Sequence, residues 1–191
     1  MKSIGFITNA SYQSGVGYRA YHLAKALKKL GENVAEVAFP ADKLPFKPWP
    51  GVLGSKSVNW IRWGRTLQSA EYDRYDITNQ TLAFLAKRLS PTVVTVHDLI
   101  ELIDPQDWRA TMLNRYLYSG ITSADHIITV SEYTKKTLKE TYGVSDSVIS
   151  VIPNSDGDEF YPIEGFAETI GYQELRRDLK LGDAHPIVLF V

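Results

Sequence analysis

The chain has 191 residues, 44% hydrophobic and 23% charged, the proportions of a soluble globular protein with a full-sized core. Its formal charge of -1, with acids and bases interspersed, gives no general field for nucleic acid, and the lack of cysteine excludes disulfide frameworks, thiolate catalysis and cysteine-bound zinc. The apolar run after Ser3 is too short for a signal peptide and no stretch nears the ~20 apolar residues of a membrane span, so a cytoplasmic protein, at most peripheral to a membrane, is expected.

Ile4 to Thr8 predicts a buried strand, followed by the polar loop "NASYQSG". Val16, Ala20, Leu23, Leu27 and Leu30 recur at helical spacing, with Arg19, Lys25, Lys28 and Lys29 elsewhere around the helix and Gly31 as its C-terminal cap. Asn33 to Phe39 gives a second strand, so the chain opens as a β-α-β unit with a right-handed crossover. Proline density from Pro40 to Pro50 forbids regular structure, and Trp60, Trp63, Leu67 and Ala70 then mark one face of a helix. "YDITNQ" predicts a short strand. Leu82, Leu85 and Leu89 predict an amphipathic helix stopped by Ser90-Pro91, and "TVVTVHD" a buried strand ending in two polar residues. A helix from Trp108 to Ile121, a strand "HIITV", a helix opened by Ser131 and closed by Gly143, and a strand "SVISVIP" complete the series.

Strand and helix alternate throughout, which predicts an α/β fold built on a Rossmann-like, doubly wound parallel sheet. From Pro153 to Gly171 turn residues accumulate, "YQELRRDLKLG" predicts a short helix, and "HPIVLFV" reads as the first strand of another sheet. The expected divisions are residues 1–162 for the main domain, 163–185 for a linker with its helix, and 186–191 for that strand.

"GVGYRA", from Gly15 to Ala20, satisfies G-x-G-x-x-A, a pattern that suggests a dinucleotide site. Two details oppose it: six residues separate the first glycine from the strand, and Glu36 sits inside the second strand rather than at its end. A flexible turn that admits close helix packing is a second reading, and a loop over the sheet edge that meets phosphate or sugar is a third. His97 ends its strand and the loop holding Gly15 and Gly17 follows another, so parallel packing puts both on the edge where open α/β sheets bind ligands.

Four segments in order carry a resemblance. "SGVGYRAYHLAKALKKLGENV" resembles the first glycine loop and helix of family 4 glycosyltransferases, and "VVTVHDLIELIDPQDW" is similar to their histidine strand. "ADHIITVSEYTKKTLKETYGV" and "ISVIPNSDGDEFYP" resemble the late helix and the segment leading out of the first domain, though Ser155 stands where the family has glycine. The resemblance implies the N-terminal, acceptor-side half of a GT-B fold, with "PIVLFV" opening a donor-binding half that this chain lacks. It also implies a retaining transferase of hexosyl type that moves a sugar from a nucleotide-sugar donor to a sugar, lipid-linked or small-molecule acceptor. Neither a cofactor nor an obligatory metal is implied, and the isolated fragment is expected to be inactive. By the same resemblance His97 contacts the transferred sugar. An NAD(P)-dependent oxidoreductase and a non-catalytic sugar- or phosphate-binding module are the alternatives.

Asp98 could orient the acceptor hydroxyl or act as base, or simply cap a turn. Gly15, Val16, Gly17 and Arg19 could meet phosphate or sugar, Arg19 otherwise lying on a solvated helix face. Ser131 could face the ligand, although a plain N-cap accounts for it. Asp156-Gly157-Asp158 mimics a metal-binding D-x-D but lies among turn formers, and no metal-ligand spacing joins His22, His126 and His185. Between Asp42 and Glu71 there is no acid, but Lys43, Lys47, Lys56, Arg62 and Arg65 alternate with Phe46, Trp49, Trp60 and Trp63. Residues 43–65 could therefore touch an anionic membrane or shape the acceptor site, with Trp60 and Trp63 as core residues the competing reading.

Overall fold

The computed structural model describes residues 2–41, 56–104, 107–155 and 164–182. The chain divides into two compact units, Met1–Ser155 and Asp156–Val191. The first is built on six strands, β1 (Ser3–Thr8), β2 (Asn33–Ala38), β3 (Arg74–Ile77), β4 (Thr92–Val96), β5 (His126–Thr129) and β6 (Ile149–Val151), in the order β2-β1-β3-β4-β5-β6. Every pairing is parallel, as the crossover-length helical segments require.

Side chains alternate across this sheet with the two-residue period of a strand. Ile7, Ile77, Val94, Val96, Ile127 and Ile149 face one side. There they meet Trp63 of α2 (Lys56–Gly64), the 3₁₀ helix Gln80–Lys87, Leu117 of α4 (Trp108–Leu117) and Leu138 of α5 (Glu132–Tyr142). Ile4, Phe6 and Val34 face the other side and pack under Ala20 and Ala24 of α1 (Gly15–Lys29). Beyond α1 that second face opens into a groove of about 220 Å³ whose lining includes Leu27, Asp76, Val93, Ile128 and Ile152.

Local chemistry sets the helix ends. Ser14 caps α1 and Ser131 caps α5 through their side-chain oxygens, while Gly31 (φ 86°) and Gly143 (φ 64°) take the left-handed turns that end those helices. A four-residue helix, α3 (Ile100–Ile103), follows β4 and was not visible in the residue pattern. In the second unit, α6 (Ile170–Asp178) is capped by Thr169, and Arg176 lies over the Tyr172 ring at 5.6 Å.

Three expectations need correction. The helix expected through Ala70 stops at Gly64, where a side chain would press on Phe84 and Leu85. The amphipathic helix expected at Leu82 to Leu89 is a 3₁₀ helix with Leu82, Ala83, Phe84, Leu85 and Ala86 all buried, because the segment threads the core rather than covering it. The helix from Trp108 ends at Leu117, and Ile121–Ser123 forms a separate 3₁₀ turn. Gly120 sits so close to the Ala83 carbonyl that a Cβ would fall 1.9 Å from its oxygen, which fixes this break. Trp63 is buried and Trp60 packs against the same core, so both rings serve packing. Lys43, Phe46, Lys47, Trp49, Asp156-Gly157-Asp158, His185 and the 186–191 strand lie outside the described residues.

Leu138 is fully buried between α5 and the sheet. Leu138→Ala should cost ~2–5 kcal/mol, read as a lowered urea midpoint with unchanged slope; a midpoint equal to wild type would mean that α5 is not seated as described.

Candidate functional site

The chain leaves β1 for β2 on one side and later places β3 on the other, so β1 and β3 flank the switch point of the sheet. Open parallel sheets bind ligands in such a crevice, at the carboxyl ends of the strands. The loops that meet there follow β1, β3, β4 and β5. Asn9 of the first donates its side-chain N–H to Thr81 Oγ1 of the second at 2.9 Å, spanning the gap.

The glycine loop folds on itself. Ser14 donates to the Ser11 carbonyl through both its backbone N–H (2.9 Å) and its hydroxyl (2.7 Å), and its Oγ accepts the Gly17 N–H at 3.1 Å. A Cβ on Gly17 would lie 1.9 Å from the Ser11 oxygen, whereas a Cβ on Gly15 would meet nothing within 4 Å. Gly17 is therefore required by the packing of its own loop. Val16 stands half-buried beside it on the same edge.

His97 is held on three sides. Its backbone N–H donates to Gln80 Oε1 at 3.1 Å, its carbonyl accepts from Thr134 Oγ1 at 3.0 Å, and its ring Nε2 lies 3.1 Å from the Thr78 carbonyl. A carbonyl can only accept, so Nε2 carries the proton and Nδ1 keeps its lone pair. Burial lowers the imidazole pKa, the positive charge of Arg19 lowers it further, and the Thr78 carbonyl and Asp98 pull the other way. The ring is thus held neutral at physiological pH, with Nδ1 able to accept a hydrogen bond.

Arg19 lies half-buried on α1, and burial also lowers its pKa, with Asp76 opposing that shift. Asp76 sits on β3, paired in register with Phe6, on the sheet face that α1 covers. Its Oδ1 is sealed from solvent with no hydrogen-bond partner, and burial pushes the carboxyl up to about 6 against the pull of Arg19 and Arg74. Arg19 therefore stands electrostatically between Asp76 and His97.

Asp98 Oδ1 accepts the Ile100 N–H at 3.2 Å, which is the turn-capping role. Ser131 Oγ accepts the Thr134 N–H at 3.1 Å and touches Thr134 Oγ1 at 3.0 Å, so it acts as an N-cap whose partner in turn holds His97. His97, Asp98, Arg19 and Ser131 are thereby drawn into one neighbourhood, and Gly15 to Gly17 share its edge. Thr78, Gln80, Thr134 and Asp76 were missed from the sequence. The available signal was a charged residue inside the short strand "RYDI" and a threonine three residues after an N-cap serine. Among the described residues no three His, Asp or Glu side chains gather as metal ligands, and no helix is long and apolar enough to cross a membrane.

An open parallel sheet with helices on both faces is an α/β domain of the Rossmann-like class, and its polar side chains and cation gather at the edge where such sheets bind ligands. A model of the family described as Glycosyltransferase Family 4 matches residues 13–155, which include the glycine loop, His97 and the capped α5. The chain belongs to that family: its function is of the glycosyltransferase type, and its six-stranded sheet is a GT-B N-terminal domain. No curated protein matches the chain.

Gly17→Ala should lose about 1–3 kcal/mol of stability through the clash with Ser11, while Gly15→Ala stays within about 1 kcal/mol of wild type; equal effects in thermal denaturation would contradict this division of roles. Asp76 gives a pH test. Between the ordinary carboxylate value and about 6 the folded chain keeps a proton that the unfolded chain has released, so stability falls as pH rises through that window. His97 acts oppositely: its contribution is complete above its unfolded value and is lost as pH drops toward the folded one. Asp76→Asn should accordingly gain on wild type as pH rises from the ordinary carboxylate value to about 6 and hold that gain above it, measured by urea unfolding across that range; parallel pH profiles would refute the assignment.

Proposed function

We propose that the chain is the acceptor side of a retaining glycosyltransferase that moves a sugar from a nucleotide-sugar donor, with His97 and the loop from Gly15 to Arg19 facing the substrates. The observation that carries this reading is the neutral, immobilised imidazole at a strand's carboxyl end. Glycosyl transfer passes through an oxocarbenium-like state and leaves a diphosphate behind, so it calls for fixed hydrogen bonds around the sugar and positive charge near the leaving group. His97 Nδ1 supplies an acceptor for a sugar hydroxyl. With its lowered pKa it remains neutral while doing so and does not compete for the proton.

Arg19, already stripped of part of its water by burial, supplies the cation for phosphate. The Asp98 oxygen other than Oδ1 is available to orient the acceptor hydroxyl. In this reading a second Rossmann-like half completes the donor site, and no cofactor or obligatory metal enters the scheme. Lipid contact through residues 43–65 would have to do without the Trp60 and Trp63 rings, which pack inward. The oxidoreductase reading is disfavoured by the glycine loop, whose Gly17 accommodates Ser11 rather than leaving room for a pyrophosphate.

In the enzyme carrying its donor half, His97→Ala should lower turnover on the order of 10²-fold, the scale of losing one well-placed polar contact, with the unfolding midpoint retained. Unchanged kinetics would return His97 to a structural role. Titration of this chain with NAD and with nucleotide sugars should show no tight binding of either, and tight NAD binding would restore the oxidoreductase.

A further inference from the structure

The segment after His97 exposes more apolar surface than a solvated helix pair needs. Leu117 of α4 is buried and Leu113 packs against the core, yet Trp108 (66% exposed) and Met112 (64%) stand outward one turn apart, followed by Tyr116. In α3, Leu102 turns inward while Ile100 (64%) and Ile103 (54%) face solvent. A helix apolar on both sides belongs between two partners, and clustered exposed apolar residues mark a binding surface.

The strip is built into the site. It begins at Ile100, whose N–H is bonded to Asp98, and α3 packs against α4 with the Tyr118 hydroxyl donating to Glu101 at 2.9 Å. Its charged neighbours are Glu101, Asp104 and Asp107 against Arg109 and Arg115, with Arg109 lying 5.2 Å from the Trp108 ring centroid. That border has no excess of positive charge and does not complement an anionic bilayer.

We propose that the acceptor is amphiphilic, its hydroxyl-bearing end at His97 and an apolar tail or aglycone along α3 and α4. This rests on the acceptor-side reading of the edge. A purely polar sugar would leave Ile100, Ile103, Trp108 and Met112 in water, whereas an alkyl or aryl group leading away from the reacting hydroxyl covers them and gains from each buried methylene.

The test uses the whole chain, isotope-labelled, titrated with paired methyl and octyl glycosides of glucose, galactose and mannose below the micelle concentration. For at least one sugar the octyl glycoside should bind about tenfold or more tighter than its methyl partner, shifting amide signals at both His97 and the strip. Trp108→Ser with Met112→Ser, both at exposed positions, should remove that advantage and leave methyl glycoside binding unchanged. Equal affinities within every pair overturn the proposal, as do octyl-induced shifts confined to α4. Sedimentation with phosphatidylcholine vesicles that the double variant abolishes would assign the strip to a membrane and overturn it too. Methyl glycosides that shift His97 signals keep the acceptor reading standing even where the proposal fails, and if no glycoside reaches His97 that reading falls as well.

Discussion

Parallel pairing obliges each strand to start from the same edge, so every crossover must climb back along a helix and every strand must end at the opposite edge. In this domain that rule gathers the loops after β1, β3, β4 and β5 into one rim. The reversal of winding between β1 and β3 then separates two of those loops and opens a crevice between them. Residues far apart in sequence, Asn9, Thr78, Gln80, His97 and Thr134, meet there through the topology and through hydrogen bonds that no local pattern specifies.

Burial then sets the chemistry of the rim. Removing water from His97 favours its uncharged form, and the Thr78 carbonyl decides which nitrogen bears the proton. The same removal disfavours ionised Asp76, whose Oδ1 has lost its solvent without gaining a donor. A carboxyl in that position costs stability that an apolar residue would not. Its counterpart is Arg19, also desolvated, so two expensive groups occupy one end of α1 where the rest of the interface is Ile4, Phe6, Ala20 and Ala24. Such a concentration of unfavourable burial beside a ligand crevice is the pattern expected of a functional site.

Much of the fold was legible in the sequence because its signals are local. β-branched runs marked β1, β4 and β5, and Ser131 and Gly143 bracketed α5 through capping geometry that depends on a few consecutive residues. Gly31 likewise ended α1. Failures came where tertiary packing overrode periodicity. Leu82, Leu85 and Leu89 have helical spacing, but the segment is buried all round and tightens into 3₁₀ geometry. Trp60 and Trp63 share a helical stripe with Leu67, which favours the core over a membrane, and the neighbouring elements that close over both rings agree with that reading. At the site, His97 could be placed at a strand end from the sequence, whereas its tautomer, its neutrality and its clamps arise from residues 17 to 37 positions away.

The Asn9 amide that spans the crevice has a mechanical side. It grips Thr81, whose neighbour Gln80 grips the backbone of His97, so two hydrogen bonds join the root of the glycine loop to the main chain of His97. Because Gln80 and Thr81 open a 3₁₀ helix embedded in the core, that linkage has a stiff anchor rather than a slack one. The glycine loop and the His97 backbone therefore share one mooring, and the rim is a braced frame rather than a set of independent fingers.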